Sequence, residues 1–198
     1  MPIYVALGDS ISIDDYTGVD GGGAVSQLAR KNGFDLIDLT RDGNTTEGVL
    51  ADLAGAPVAA DIVTLTAGGN DLLIGQPPPA ILRRLNEIAA RIKPLNAQVL
   101  VNTVYDPSDG DDALGPELGL SQPETVELRR RLNTLNTGIA ELAREWSFTL
   151  ADLEQLFQGH GLKSTEPWFV QVIEPNLAGA TAVAEHWHEL LTSSNHQI

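Results

Sequence analysis

A serine hydroxyl stands where an apolar run near the start of the chain ends. Residues 3–7, Ile-Tyr-Val-Ala-Leu, are typical of a buried strand, and Gly8, Asp9 and Ser10 follow them directly. Ligands of open α/β sheets bind beyond the carboxyl ends of the strands, so this hydroxyl is well positioned to attack a substrate. A serine nucleophile also needs a base within hydrogen-bond reach and donors for the oxyanion that its attack creates. Ser10 is therefore the first candidate for acyl-transfer chemistry.

Two more polar segments follow apolar runs in the same way. Residues 66–71, Thr-Ala-Gly-Gly-Asn-Asp, come directly after 62–65, and residues 41–46, Arg-Asp-Gly-Asn-Thr-Thr, come after a strand-like run. Together with residues 4–12 they resemble, in the right order, three sequence blocks of the SGNH or GDSL hydrolases, a family of serine esterases and related acyl hydrolases. Each motif is weak alone, but the ordered set is specific.

The resemblance implies roles for three residues. Ser10 is the expected nucleophile, and the expected oxyanion donors are the Ser10 N–H, the Gly43 N–H and the side-chain amide of Asn70. Each residue also has a simpler interpretation. Ser10 could cap a helix, Gly43 could supply a positive φ in a turn, and Asn70 could begin an Asx turn. Their joint order favours the site.

The fourth block of the family departs from its usual pattern. The family places an Asp and a His three residues apart, whereas this chain has Gln171 and Glu174 at the corresponding positions. Three interpretations stay open. Glu174 is the base, His160 supplies the imidazole from its glycine-flanked loop, or the centre is degenerate and only binds. For Glu174, burial would raise the pKa and a neighbouring helix start would lower it, so the two effects oppose each other.

Short β-branched runs alternate with longer segments of helical period along the chain. This pattern predicts five parallel strands at 3–7, 34–39, 61–67, 97–104 and 146–151, with helices near 22–31, 46–54, 79–92, 123–145 and 176–192. The predicted fold is a flavodoxin-like three-layer α/β/α sandwich with strand order 2-1-3-4-5, in one domain over residues 1–198. In that order strand one lies between strands two and three, so Ser10, Gly43 and Asn70 converge. The acidic, turn-rich loop that begins at residue 106 is predicted to overhang the strand ends.

Composition limits the classes of partner. With 27 acidic and 12 basic residues the formal charge is −15, which repels nucleic acid and anionic lipid. The chain has no cysteine, and we expect no cofactor and no metal. We also expect no signal segment and no membrane insertion, because the first strand begins within two residues of Met1 and no apolar stretch is long enough to cross a bilayer. A cytoplasmic location is the default prediction; the oligomeric state is left open.

The leading hypothesis is a hydrolase of small-molecule or carbohydrate esters that works through a Ser10 acyl-enzyme. The alternative is a catalytically weak or inactive binding protein on the same fold. A third and weaker hypothesis interprets the glycines at 21–23 as a phosphate cradle of a nucleotide-binding protein, although no Lys-Ser/Thr pair accompanies them.

Overall fold

A five-stranded parallel sheet forms the centre of the structure. The computed structural model describes residues 1–57 and 59–194. The sheet strands are β1 (Ile3–Gly8), β2 (Asp35–Thr40), β3 (Ile62–Thr66), β4 (Gln98–Asn102) and β5 (Thr149–Ala151). All neighbouring strands are parallel and their order is β2-β1-β3-β4-β5, which confirms the predicted order. Strands β1 and β3 are buried almost throughout, as expected for strands that are covered on both faces.

Helices cover both faces of this sheet. They are α1 (Ala24–Asn32), α2 (Thr46–Asp52), α3 (Gly69–Leu73), α4 (Pro78–Ile92), α5 (Gln122–Trp146), α6 (Leu153–Phe157) and α7 (Leu177–Ser194). Alternate residues of β1 enter two apolar clusters: Val5 and Leu7 pack with α4 and α5, and Tyr4 and Ala6 pack with α1 and α7. This alternation is the period-two pattern of a strand, and it confirms the three-layer architecture.

The structure differs from the prediction mainly in its short elements. The fifth strand begins three residues later than predicted, because α5 extends to Trp146 and is capped by Ser147, which has a left-handed φ of 56°. Helices α3 and α6 and the hairpin of β6 (Phe169–Val170) and β7 (Glu174–Pro175) were not predicted. Elements of two to five residues are too short to display a period.

The segment between β4 and α5 lies over one end of the sheet. It contains a 3₁₀ helix, Asp112–Leu118, and Arg129 of α5 holds the segment through ion pairs with Asp106 and Asp112. Leu118 of this segment and Ser10 line the same cleft. The acidic loop therefore overhangs the strand ends, as its composition had suggested.

Candidate active site

A tight turn at the end of β1 presents Ser10. Gly8 has a φ of 143°, and a Cβ atom at this position would lie 2.1 Å from the carbonyl oxygen of Thr66 on the adjacent strand β3. Only glycine fits such a close backbone approach. Ser10 is 7% exposed, and the next helix does not begin until Ala24. Ser10 therefore does not cap a helix, and its hydroxyl is available for another purpose.

Two backbone N–H groups at this end of the sheet are free to donate a hydrogen bond to a ligand oxygen. Neither Ser10 N–H nor Gly43 N–H has a hydrogen-bond partner within residues 1–57 and 59–194. Gly43 lies in the exposed turn after β2 with a φ of 66°, so the simpler turn interpretation also holds for it. Turn geometry and hydrogen-bond donation are compatible, because a positive φ affects the aim of the N–H but does not remove it.

Asn70 is tied to the same region by its side chain. It lies in the first turn of α3, and its Nδ2 donates to the Asn44 carbonyl oxygen at 2.9 Å. Asn44 in turn donates from its own Nδ2 to the Gly8 carbonyl oxygen at 3.1 Å. These bonds join the loops after β1, β2 and β3. Among residues 1–57 and 59–194, the Asn70 side chain makes no hydrogen bond typical of an Asx turn, and the second proton of its amide has no partner.

Asp71, which follows Asn70, has a structural role. Its carboxylate accepts hydrogen bonds from the Thr46 N–H at 2.9 Å and the Thr46 hydroxyl at 2.7 Å, and it forms an ion pair with Arg84 at 3.0 Å. The aspartate is 1% exposed, and the two hydrogen bonds from Thr46 and the ion pair with Arg84 offset the cost of burying its charge. It thereby fastens the start of α2 to α3 and α4.

A hairpin between α6 and α7 carries Glu174 into the site. Strands β6 and β7 are antiparallel, and Val170 pairs with Glu174. The turn between them has positive φ at Gln171 and at Val172, which is strained for a β-branched residue. The Tyr105 hydroxyl donates to the Ile173 carbonyl oxygen at 2.7 Å and so holds the hairpin against the sheet.

The Glu174 carboxyl is buried and faces Ser10. The residue is 7% exposed, and its Oε2 atom has no hydrogen-bond partner among the described residues. Burial raises the pKa of Glu174, the hydrogen bond with the Ser10 side chain acts in the opposite direction, and the charge of Asp42 raises the pKa further. Glu174 precedes α7, which begins at Leu177, so it is outside the helix. The net shift of the Glu174 pKa is upward, and burial is its largest cause.

The structure places His160 in different surroundings. Its ring stacks on Trp168 with a centroid distance of 3.6 Å and an interplanar angle of 7°, and its Nδ1 lies 3.1 Å from the Glu166 carbonyl oxygen. None of the described contacts of His160 is with Ser10 or Glu174. Gln171, at the position that the family gives to Asp, is exposed and does not orient Glu174. Ser10, Asn70 and Glu174 are thus brought to one region, and His160 is engaged elsewhere.

Sequence reasoning missed one buried acid beside the nucleophile. Asp9 is 2% exposed, and its Oδ1 accepts a hydrogen bond from the Ile11 N–H at 3.3 Å. Burial raises the pKa of Asp9 to about 7, and the charge of Glu174 contributes to the rise. The available signal was its position in the triplet at 8–10, directly after a fully buried strand.

An apolar cleft opens beside these residues. Ser10 and Asn70 line it together with side chains from α3, α5 and the overhanging segment, among them Leu72, Leu118, Leu128 and Leu132. Most of the lining is hydrocarbon, with a few polar groups at the end that holds Ser10 and Asn70, which is the usual composition of a small-molecule site. The cleft is suited to an apolar part of a substrate.

The N–H groups of the glycines at 21–23 already donate hydrogen bonds within the protein. The N–H groups of Gly21 and Gly23 donate to the Asp14 carboxylate at 3.1 Å and 2.7 Å, and the Gly22 N–H donates to the Val19 carbonyl oxygen at 2.9 Å. A phosphate at this position would have to displace an acidic side chain. This geometry weighs against the nucleotide-binding hypothesis.

Two further features can be stated for the part of the chain that the structure describes. No cluster of three or more His, Cys, Asp or Glu side chains there is arranged to hold a metal ion. Nor does any helix within residues 1–57 and 59–194 combine the length and apolarity needed to cross a membrane.

Solved structures with the same fold span nearly the whole chain. A member of the lipolytic G-D-S-L family from Veillonella parvula has a TM-score of 0.73 at 18% identity, covering 96% of this chain and 97% of its own. LAE5, an α/β hydrolase from the Lake Arreo metagenome, has a TM-score of 0.73 at 22% identity, with coverages of 96% and 95%. A catalytic mutant of Axe2, an acetylxylan esterase from Geobacillus stearothermophilus, has a TM-score of 0.72 at 18% identity, with coverages of 96% and 94%.

At these identities the likeness concerns the fold alone. No curated protein matches the chain. A family model, in contrast, matches residues 6–182, a range that includes the β1 turn, the Gly43 and Asn70 loops and the Glu174 hairpin. The chain therefore belongs to the GDSL-like lipase/acylhydrolase family.

Proposed function

We propose that this protein is a serine hydrolase of small esters in which Ser10 is the nucleophile and Glu174 is the base. The observation that carries the proposal is the buried Glu174 carboxyl facing the Ser10 hydroxyl. A carboxylate usually makes a weak base, but burial raises its proton affinity toward the range in which it can accept a serine proton. The stacking of His160 on Trp168 supports Glu174 over His160 in this role.

The proposed reaction has two halves. The Ser10 Oγ attacks the ester carbonyl carbon while its proton moves to Glu174, and the resulting oxyanion is held by Ser10 N–H, Gly43 N–H and the Asn70 amide. Collapse of this intermediate breaks the ester C–O bond, and Glu174 returns the proton to the departing alkoxide. In the second half Glu174 takes a proton from water as the water oxygen attacks the acyl-enzyme. Collapse of this second intermediate breaks the bond to Ser10 Oγ and releases the acid, and Glu174 returns the proton to Ser10 Oγ. Oxyanion donors of this kind contribute roughly 10²–10³ each in rate.

The cleft suggests how the ester is oriented. Its leucine lining favours the acyl group there, which leaves the alcohol toward the exposed side of Gly43. Small-molecule and carbohydrate esters both satisfy this arrangement. The acetylxylan esterase Axe2 supports the carbohydrate case only as an example of what this fold accommodates.

Three single substitutions test the assignment with short p-nitrophenyl esters as substrates. Ser10→Ala should abolish hydrolysis with the fold intact. Glu174→Gln should lower kcat by roughly 10²–10⁴, because an amide cannot accept the serine proton. His160→Ala is the matched control and should retain activity close to that of the wild type. If His160→Ala is inactive and Glu174→Gln is active, the base has been misassigned.

A binding protein with a weak catalytic centre is the second candidate. It is favoured by the exposed Gln171, because no side chain at that position orients Glu174. The discriminating reagent is a fluorophosphonate, which labels only an activated serine. Absence of labelling in wild type, together with full activity gain in the double variant Gln171→Asp, Glu174→His, would favour this second candidate.

A further inference from the structure

Two buried carboxyl groups without a cation lie beside the nucleophile. Asp9 follows β1 and is 2% exposed, while Glu174 belongs to β7 and is 7% exposed. Neither forms an ion pair with any residue that the structure describes. The two acids are close enough for the charge on Glu174 to influence Asp9. Two neighbouring carboxyl groups that are buried without a cation cannot both ionise without a large electrostatic cost.

The groups around Asp9 relieve only part of that cost, because burial raises its pKa by more than the hydrogen bonds from its neighbours lower it. On its own segment, the Ile11 N–H donates to Asp9. From β3 it is faced by the Thr66 hydroxyl, from the segment after β4 by Tyr105, and from β7 by Glu174. Tyr105 is fully buried, and burial keeps its pKa well above the ordinary value, so it stays neutral. The surroundings of Asp9 thus contain neutral and acidic groups.

The groups around Glu174 are of the same kind. Ser10 faces it with a hydroxyl, and the carboxylate of Asp42 acts on it from the loop after β2. Tyr16 also lies within electrostatic range of Glu174, and burial raises the pKa of Tyr16 to about 12, so this phenol too is neutral. The site therefore accommodates one negative charge more readily than two.

We propose that Asp9 is a positioning residue that must be protonated while the enzyme works, and that its ionisation turns the site off. The inference rests on the proposed roles of Ser10 and Glu174. One negative charge, on Glu174, withdraws the serine proton. A second, on Asp9, would stand beside the forming oxyanion and oppose it, which removes the electrostatic stabilisation that the donors supply. Protonated Asp9 has no such effect.

The consequence is a bell-shaped dependence of kcat/KM on pH. The rising limb follows ionisation of Glu174, and the falling limb follows ionisation of Asp9 near pH 7, the value to which burial raises the pKa of Asp9. Because the two acids interact, the limbs report apparent values of the pair. Above the falling limb, kcat/KM should decline about tenfold per pH unit, as expected for loss of one required proton.

The test compares kcat/KM for a short p-nitrophenyl ester from pH 4 to 9 in wild type and Asp9→Asn. Asparagine imitates a protonated aspartate, so the variant should retain the rising limb and lose the falling one. Asp42→Asn is the matched control, since it removes another carboxylate near Glu174 and should keep the falling limb. A falling limb that persists in Asp9→Asn, or a wild-type profile without one, overturns the inference.

A second measurement does not depend on turnover. In Ser10→Ala protein labelled with ¹³C at the aspartate carboxyl carbons, one resonance should titrate near pH 7 and shift to lower pH when Glu174→Gln is added. The inference is wrong if every aspartate carboxyl completes its titration below pH 5. An active Ser10→Ala variant would instead overturn the proposed function, so the two failures are distinguishable.

Discussion

At the scale of single residues, the proposed function depends on how the protein holds its oxyanion donors, and Asn70 is an example. Its amide nitrogen donates one hydrogen bond to the Asn44 carbonyl oxygen, which fixes the rotamer. In the proposed reaction the remaining amide proton is the one that donates to the oxyanion. Such preorganised donors contribute more than flexible ones, because no reorganisation accompanies the reaction.

We predict that Asn70→Ala lowers kcat by roughly 10²–10³ with a smaller change in KM, because the hydrogen bond strengthens as charge develops on the oxygen. Steady-state kinetics with a short p-nitrophenyl ester give both parameters. Asn133→Ala, on an exposed face of α5, is the matched control and should leave both unchanged. An effect of Asn70→Ala on KM alone would assign Asn70 to substrate binding.

At the scale of elements, α5 and the segment before it shape the cleft. Arg129 of α5 holds that segment through ion pairs with Asp106 and Asp112, and Leu118 of the segment lines the same cleft as Leu128 of α5. Both leucines contact the space beside Ser10. If the proposed function is right, the length of acyl chain that the cleft accommodates should therefore depend on these two elements.

We expect Leu128→Trp to reduce hydrolysis of p-nitrophenyl hexanoate relative to acetate by at least about tenfold. The larger side chain occupies cleft volume that a longer acyl chain needs, and each buried methylene contributes about 0.8 kcal/mol. The measurement is the ratio of kcat/KM for the two esters. Val126→Trp, on the exposed surface of the same helix, should leave the ratio unchanged. An unaltered ratio in Leu128→Trp would mean that the acyl group lies elsewhere.

For the whole molecule, 27 acidic residues outnumber 12 basic ones, so few cations are available to neutralise a buried acid such as Asp9. Burial raises the pKa of Asp9 to about 7, while in the unfolded chain it titrates near the ordinary value of 3.8. As pH rises between these values the unfolded state releases the proton and the folded state retains it. The contribution of Asp9 to stability therefore decreases over this window.

Asp9→Asn should consequently be more stable than wild type at pH 8 by about 1–4 kcal/mol, because each pKa unit corresponds to about 1.4 kcal/mol. Near pH 4 the difference should be small, since Asp9 is then protonated in the folded state. Urea unfolding at the two pH values measures it. Equal differences at pH 4 and pH 8 would show that the substitution acts through packing rather than through the charge.

Much of the architecture could be predicted from the chain itself. The apolar runs at 3–7 and 62–65 and the glycines and polar residues that follow them are local signals, because strand burial and turn geometry depend on neighbouring residues. The order of the sheet and the approach of the Ser10, Gly43 and Asn70 loops follow from these signals and the rules of parallel sheets. Short elements such as α3 and the β6–β7 hairpin display no period and escaped prediction.

The surroundings of the acids depended on the tertiary structure. Glu174 lies 164 positions after Ser10 in the chain, and whether it faces the serine or the solvent depends on how a strained hairpin packs against Tyr105. The direction in which the Glu174 pKa shifts likewise has no local signal, because the burial of its carboxyl depends on elements that are distant in the sequence. The sequence by itself determined the fold and the candidate nucleophile. Only packing decided that Glu174 and Asp9 face the site while His160 stacks on Trp168.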